Sequence, residues 1–299
     1  EEGVVQTSDN VYIAGQFNGW NTSANILTDN DDGTYSATIE LADDSYEYKY
    51  VVNDGSTDQW SWLNSDNRTV TISGVSTVND YRSVNVGWAN LQYPASTSIS
   101  AGEITENIYG QVWINGVTDQ TGEGSAIKAQ VGYGTSTDPA DWTTWTDMTF
   151  HSDQGNNDEF QGTVTSSTVG GYKYATRFDA NWGANNPNSS WVYGDKDGMP
   201  YTADQGGDLT VTVGTTTWDG SSWDKGEPDE NFNAVIDGDL STTSALDCNN
   251  LTLSAGYNFT ADHTVTVNGN LVLQSDASGT ASLIDNDNVS VTGTSTAQL

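Results

Sequence analysis

Trp20, Lys49, Trp62 and Asn67 are the residues near the start of the chain whose side chains could together hold a sugar. A sugar ring has an apolar C–H face that stacks on an aromatic ring, and its hydroxyl groups need a few hydrogen-bond donors and acceptors. The tryptophans offer the stacking surface, and the ammonium and amide groups offer the polar contacts. This set indicates noncatalytic carbohydrate binding. Taken singly, each residue has an ordinary alternative: a half-buried sandwich tryptophan, or a lysine on the outward face of a strand.

Three predicted elements position these side chains. Alternating apolar residues lead into Asn18-Gly19, a turn signal, which leaves Trp20 exposed in a loop. Residues 46–52 alternate strictly and read as a strand, with the side chain of Lys49 on the face opposite to that of the tyrosines. The stretch 59–68 follows a polar turn, and its two tryptophans, Trp60 and Trp62, share one face.

Taken in order, these segments resemble the starch- and glycogen-binding modules of carbohydrate-binding families 48 and 20, over about residues 3–83. In that family two tryptophans and a lysine flank a malto-oligosaccharide, and a polar side chain follows the second tryptophan. The resemblance implies that Trp20, Lys49, Trp62 and Asn67 form an α-glucan site, with Trp62 preferred to Trp60 by its distance from Asn67-Arg68. The motifs that carry the resemblance are Gly15-Gln-Phe-Asn-Gly-Trp-Asn21, Asp32-Gly-Thr-Tyr35, Tyr46-Glu-Tyr-Lys-Tyr50 and Asp66-Asn-Arg68.

A second group of aromatic residues lies in two polar, Asn-rich segments further along the chain. It consists of Trp142, Trp145, Trp182 and Trp191. The same stacking chemistry predicts a second carbohydrate site here. The alternative is that Trp142 and Trp145 cover an open edge of a β-sandwich.

Acidic turns provide candidate calcium ligands. Asp29 and Asp31 lie in one such turn, and Asp195 and Asp197 lie in another. Carboxylate oxygens suit Ca²⁺, although neither turn completes the EF-hand pattern. Each also sits where a hairpin turn is expected, so a solvated turn is the alternative. Calcium is the one cofactor that the sequence suggests.

The charge balance excludes several classes of partner. Forty-one acidic and 8 basic residues give a formal net charge of −33. Nucleic acids and anionic membranes require basic patches, so they are not expected partners, whereas neutral ligands and divalent cations are. No apolar run is long enough to span a membrane. With the polar composition, these features predict a secreted or cell-surface protein.

Short runs rich in Val, Ile, Thr and Tyr between turn signals indicate an all-β fold, with β-sandwiches followed by a β-solenoid-like segment. The middle of the chain resembles immunoglobulin-like repeats of secreted Bacteroidota proteins. The linker after it resembles a junction common in type 9 secretion cargo. The predicted domains are a carbohydrate-binding-module-like sandwich at 1–84, a second immunoglobulin-like sandwich at 85–214, a linker at 215–232, and an incomplete solenoid-like segment at 233–299.

Catalytic patterns do not stand out. The two histidines, His151 and His263, lack ligand spacing, and there is neither a Gly-x-Ser-x-Gly elbow nor a phosphate-binding loop. A pair of carboxylates would suffice for a glycosidase, but 41 acidic residues offer too many choices.

We therefore predict a secreted, noncatalytic α-glucan-binding protein. The rival hypothesis is a structural subunit of an extracellular filament, surface layer or adhesin. A fragment of a secreted glycoside hydrolase comes third. Short strand-like runs up to Leu299 without a capping rung predict that the given chain is a fragment, or that another molecule completes its end through self-assembly of the C-terminal segment.

Overall fold

The computed structural model describes residues 9–30, 34–53, 55, 58–60, 67–81, 84–124, 127–182, 186–277, 279–293 and 295–298, with only the backbone described for Gln59 and 295–298. Two compact units emerge from the backbone contacts. The first comprises Glu1–Ala95, Asn107–Thr163 and Lys173–Gly207, and the second comprises Ser96–Glu106, Val164–Tyr172 and Asp208–Leu299. These boundaries differ from those expected from the sequence, and the four-part division stays a prediction.

Strands account for almost all regular structure in the described ranges, which confirms the all-β class. They are β1 Asn10–Gly15, β2 Thr28–Asp29, β3 Tyr35–Ser36, β4 Ser45–Asn53, β5 Asp58–Trp60, β6 Arg68–Thr71, β7 Trp88–Tyr93, β8 Ser96–Ser100, β9 Ile108–Trp113, β10 Lys128–Gly134, β11 Thr144–Asp147, β12 Thr149–Gln154, β13 Asn157–Gly162, β14 Gly170–Asp179, β15 Val192–Gly194, β16 Gly207–Thr212, β17 Gly214–Trp218, β18 Phe232–Ile236, β19 Leu240–Ser241, β20 Leu246–Cys248, β21 Leu251–Leu253, β22 Asn258–Thr260, β23 Val265–Val267, β24 Leu271–Asp276, β25 Gly279–Thr280, β26 Ser282–Ile284, β27 Val289–Val291 and β28 Ser295–Gln298. Short 3-10 helices occur at Gln16–Asn18, Pro139–Asp141 and Ala203–Gln205. None of the helices in the described ranges is long and apolar enough to cross a membrane.

The start of the first unit is a sheet built around β4. Strands β1, β5 and β6 all pair with β4 in antiparallel fashion, and β2 pairs with β3 beside them. The Tyr- and Val-rich sequence of β4 suits a half-buried pleated surface. Its Val51 and Val52 are buried, as are Val11 and Ala14 of β1. This sheet contains Lys49, and Trp20 and Asn67 lie close to the ends of its strands.

The rest of the first unit is a β-sandwich. One sheet has the strand order β12-β13-β9-β7, and the other contains β11, β10, β14 and β15. Phe160 of β13 and Phe178 of β14 are fully buried and meet edge to face, with ring centroids 5.9 Å apart. Because these residues come from different sheets, their contact shows that the inner faces pack against each other.

The second unit contains the solenoid-like segment. Its parallel strands form three ladders, β17-β18-β21-β24-β28, β19-β22-β26 and β20-β23-β27. Inward residues such as Leu251, Phe259 and Val265 are fully buried and stack from rung to rung. The expected solenoid-like segment is thus confirmed, and its first ladder begins with β17, which starts at the boundary between the predicted second sandwich and the predicted linker. Strands β8 and β16 pair in parallel elsewhere in this unit.

Candidate functional site

A turn after β1 carries Trp20, and the side chain of Asn18 holds this turn together. The Oδ1 atom of Asn18 accepts a hydrogen bond from the Gly15 backbone N–H at 3.0 Å. Its Nδ2 donates to the Ile13 carbonyl at 3.1 Å and to Oδ1 of Asn25 at 2.8 Å. One carboxamide thus satisfies groups on both sides of the turn, so the loop has a defined shape without a ligand.

The backbone of this turn is left-handed at two consecutive residues. Gly19 has φ 66° and Trp20 has φ 63°, and the Trp20 N–H donates to the Gly15 carbonyl at 2.9 Å. Left-handed backbone costs a residue with a side chain roughly 1–2 kcal/mol. Gly15 is also required, because a Cβ atom there would lie 2.6 Å from the Glu47 carbonyl oxygen. Strain of this kind is concentrated at functional sites, and here it sets the direction of an indole ring.

Among the described residues, Trp60 is the aromatic residue that the fold brings beside Trp20. It lies in β5 opposite Val51, and its ring centroid is 6.3 Å from that of Trp20, with the ring planes tilted by 52°. Both rings are half-buried. Trp62, which the sequence favoured, lies outside the described residues. In the sequence, Trp60 is two residues closer than Trp62 to the turn between β4 and β5, and this position is the signal that could have favoured it.

Lys49 and Asn67 occupy different environments. Lys49 lies opposite Ala14 and is only 2% exposed, so the alternative of an outward-facing lysine is wrong. Asn67 is exposed, and its Nδ2 donates to Oε2 of Glu47 at 3.0 Å. The sugar-binding roles of both residues stay predictions.

A polar cluster behind this site was not anticipated from the sequence. Oδ2 of Asp80 accepts hydrogen bonds from the hydroxyl groups of Tyr48 at 2.7 Å and Tyr50 at 2.8 Å, and Oδ1 lies 3.6 Å from Nη1 of Arg68. Burial, and then Asp80, raise the pKa of each tyrosine above its usual range, so both remain neutral donors. The cluster fastens the segment after β6 to β4. Asp80 is distant in sequence from its partners, so no local pattern reveals it.

The second tryptophan group forms a continuous ladder rather than an open platform. Trp142 is 6% exposed, donates through Nε1 to the Ser136 carbonyl at 2.9 Å, and stacks on Trp145 at 5.7 Å. The Arg177 guanidinium carbon lies 4.0 Å from the Trp145 ring centroid and 4.2 Å from that of Trp191. The structure therefore brings these rings together around a cation.

The ladder continues to the surface at Trp182. This ring lies 5.7 Å from Trp191, has the Lys128 ammonium at 4.5 Å, and is 44% exposed. Burial and the stacked guanidinium favour the packing alternative for Trp142 and Trp145. A sugar-binding role for the group stays a prediction.

The acidic turns also have local structural roles. The buried Asp195 carboxylate accepts hydrogen bonds from the backbone N–H groups of Asp197, Gly198 and Thr202 and from the Thr202 hydroxyl, at 2.6–3.0 Å. Asp29 lies opposite Tyr35, whose pKa is raised to about 12 by burial and then by Asp29.

In the part of the chain that the structure describes, the acidic turns do not form a cluster of metal ligands. Asp31 lies outside the described residues. Within the described ranges, no group of three His, Cys, Asp or Glu side chains is arranged to hold a metal ion. Calcium binding stays a prediction.

Comparisons with known proteins point to the same end of the chain as the motifs. Residues 5–85 match a family model described as the glycogen recognition site of AMP-activated protein kinase. This match confirms the similarity to a starch- and glycogen-binding module. No solved structure matches the chain significantly.

Three curated relatives are amylopullulanases. The protein of Thermoanaerobacter thermohydrosulfuricus is 29% identical over 135 residues, covering 39% of this chain and 9% of the relative. Those of Thermoanaerobacterium thermosulfurigenes and Thermoanaerobacterium saccharolyticum are 33% and 32% identical, covering 34% of this chain and 7% and 10% of the relatives. The chain therefore spans a tenth or less of the relatives' length. A match over 39% of the chain is longer than residues 5–85, so part of the similarity lies outside that module.

Proposed function

We propose that this chain binds α-glucans such as starch or glycogen through the Trp20–Trp60 pair, without catalysing a reaction itself. The observation that carries the proposal is the ring pair, 6.3 Å apart, within the region that matches the glycogen recognition model. Two tilted indoles can contact successive sugar rings of a curved glucan chain through their C–H faces. Asn67, near the start of β6, is the candidate for contacts to the hydroxyl groups.

The fold supports this role by fixing the site before the ligand arrives. The Asn18 bonds and the left-handed backbone define where Trp20 points, so little conformational freedom is lost on binding. The chain's net charge of −33 is compatible with a neutral polymer.

The test is retardation of the purified chain in a gel that contains glycogen. Trp20→Ala and Trp60→Ala should each weaken binding by on the order of 1–3 kcal/mol, by analogy with other aromatic stacking sites. Trp223→Ala is a matched control, because Trp218 and Trp223 form another tilted pair, 5.8 Å apart, in the second unit. Trp62→Ala tests whether the tryptophan that the sequence favoured contributes to glycogen retardation. Unchanged retardation of both the Trp20 and the Trp60 variant would show that the site is elsewhere.

The amylopullulanase relatives favour the hypothesis that this binding function belongs to a larger enzyme. Because the curated relatives are amylopullulanases of which the chain spans a tenth or less, we propose that it is a binding region of a secreted α-glucan hydrolase. To test this proposal, the full-length protein that contains the chain is expressed and assayed for starch hydrolysis. A surrounding protein without hydrolase activity would instead favour a free-standing binding protein. An origin in type 9 secretion cargo of the Bacteroidota rests on the sequence resemblance alone.

The structural-subunit hypothesis has a separate test. Strand β28 pairs with β24 at the last ladder position of the described solenoid strands, and self-assembly would extend this ladder through a second copy. Sedimentation should then show concentration-dependent association of the full chain. A monomer at high concentration contradicts self-assembly and leaves glucan binding untouched.

A further inference from the structure

We propose that the outer face of the sheet β12-β13-β9-β7 is a second α-glucan-binding surface, separate from the Trp20–Trp60 pair. We call it the open sheet face and define it by Trp88, Tyr93, Tyr109, Gln111, Trp113 and Glu159. The choice of glucan rests on the proposed function, whereas the surface itself follows from the geometry of this sheet.

Alternation along β9 shows which side chains point away from the core. Ile108, Gly110 and Val112 are buried, so Tyr109, Gln111 and Trp113 project from the opposite face, where they are half-exposed. Tyr109 and Trp113 are four residues apart in an extended strand, a separation of about 13 Å. The face therefore has an aromatic ring at each end and a polar side chain between them.

One end of the open sheet face is a pair of tryptophans on neighbouring strands. Trp88 of β7 lies directly opposite Trp113 of β9. A Cβ atom on Gly87 would lie 2.4 Å from ring carbons of Trp113, so the indole rests against glycine backbone. The absence of a side chain at Gly87 thus makes room for the Trp113 ring, which remains partly exposed and available for sugar stacking.

The other end is a tyrosine pair whose direction depends on a β-bulge. Tyr93 pairs with Tyr109, and the register shifts between Leu91 and Tyr93. Leu91 is 1% exposed whereas Tyr93 is 54% exposed, so the bulge turns Tyr93 outward. Bulges commonly re-aim a side chain next to a functional site.

A hydrogen-bonded polar row joins the two aromatic ends. Nε2 of Gln111 donates to Oε2 of Glu159 at 2.9 Å, and Nδ2 of Asn157 donates to Oε1 of Gln111 at 3.2 Å. Nδ1 of His151 lies 2.9 Å from Oε1 of Glu159, and the His151 ring meets Tyr109 edge to face at 5.2 Å. Glu159 is only 7% exposed and bonds both neighbours, so it holds Gln111 and His151 in place, and their remaining donors and acceptors are presented in fixed positions.

The charge of this surface indicates a neutral polymer. None of the six defining residues is Lys or Arg, and the one carboxylate among them, Glu159, is bonded to its neighbours. In a chain of net charge −33, an anionic polymer would be repelled. Aromatic rings with amide and imidazole groups between them instead match the alternating C–H faces and hydroxyl groups of a glucan.

The experiment compares four forms of the full chain by retardation in glycogen-containing gels. They are the wild type, Trp113→Ala, the double variant Trp20→Ala with Trp60→Ala, and the three substitutions combined. Trp113→Ala should weaken apparent affinity about tenfold, since losing one stacked ring has an effect of that order. The double variant should keep residual binding, which the triple variant should lose, because two surfaces on one chain reinforce each other on a polymer.

Tyr93→Ala keeps the test decisive if Trp113→Ala fails to fold, because Tyr93 is 54% exposed and its removal leaves the core intact. It should weaken retardation by a few-fold, whereas Tyr172→Ala in the second unit should not. Wild-type retardation of both Trp113→Ala and Tyr93→Ala would overturn the second surface while leaving the first site standing. Loss of binding in these variants, with wild-type binding by the double variant, would support the second surface and refute the first. A wild-type chain that glycogen does not retard would refute both.

Discussion

The Trp20→Gly variant should be more stable to unfolding than the Trp20→Ala variant, although both substitutions remove the indole. Its φ of 63° places it in the left-handed region, where alanine costs about 1–2 kcal/mol. Glycine adopts this conformation without that cost but loses about 0.4–1 kcal/mol through the greater freedom of the unfolded chain. The difference leaves Trp20→Gly more stable than Trp20→Ala by about 0.5–1 kcal/mol.

Calorimetric melting of the two variants measures this difference. For a domain of 150–250 residues, 1 kcal/mol corresponds to about 2–4 °C in Tm, so Trp20→Gly should melt about 1–4 °C higher than Trp20→Ala. Thr69 provides a matched control, because it is exposed in β6 and has ordinary strand backbone. There the order should reverse, with Thr69→Ala melting above Thr69→Gly.

Binding should not follow this order. Both Trp20 variants lack the ring and should weaken glycogen retardation by the same amount, since the proposed site acts through the indole face. A Trp20→Ala variant at least as stable as Trp20→Gly would refute the reasoning about the left-handed backbone. A difference in binding between the two variants would refute the assignment of affinity to the ring.

Two further predictions concern the sandwich of the first unit. Burial raises the pKa of Asp158 from 3.8 to about 7, so its protonated form stabilises the fold at low pH, and this stabilisation is lost as the pH rises from about 4 through about 7. The Tm of the wild type should therefore fall relative to that of Asp158→Asn over this interval, and a pH-independent difference would contradict the raised pKa. Arg177→Lys should lower stability by about 1–2 kcal/mol, because an ammonium cannot stack flat between Trp145 and Trp191. Lys173→Arg on the same strand is the control, and equal melting of the two exchanges would show that the ladder contributes nothing.

Much of the first module could be predicted from its sequence because its signals are local. The turn at Asn18-Gly19, the strand that holds Lys49 and the loop position of Trp20 follow from alternation and turn chemistry over a few residues. The match of residues 5–85 to a glycogen recognition model confirms the similarity inferred from those motifs. The preference for Trp62 over Trp60 rested on the spacing to Asn67, and it stays a prediction because Trp62 lies outside the described residues.

The remaining features depend on pairing between distant strands. The Asp80 cluster joins residues about thirty positions apart, and the tryptophan ladder depends on the position of Arg177 between rings from other segments of the chain. Likewise, the open sheet face exists because a bulge reverses the direction of Tyr93. A shift of one residue in register sends a side chain to the opposite face, so such surfaces cannot be read from composition.

Residue types and their spacing were enough to predict the all-β class, the negative net charge, the N-terminal module and the solenoid-like character of the C-terminal segment. These properties follow from residue type and short-range period, which act within a few positions of the chain. Three other features became visible only in the folded structure: Trp60 meets Trp20, Lys49 is buried, and Trp142 packs within a ladder. Exposure and ring contact are set by strand register and by the residues that arrive from elsewhere in the chain, and only the folded structure brings those residues together.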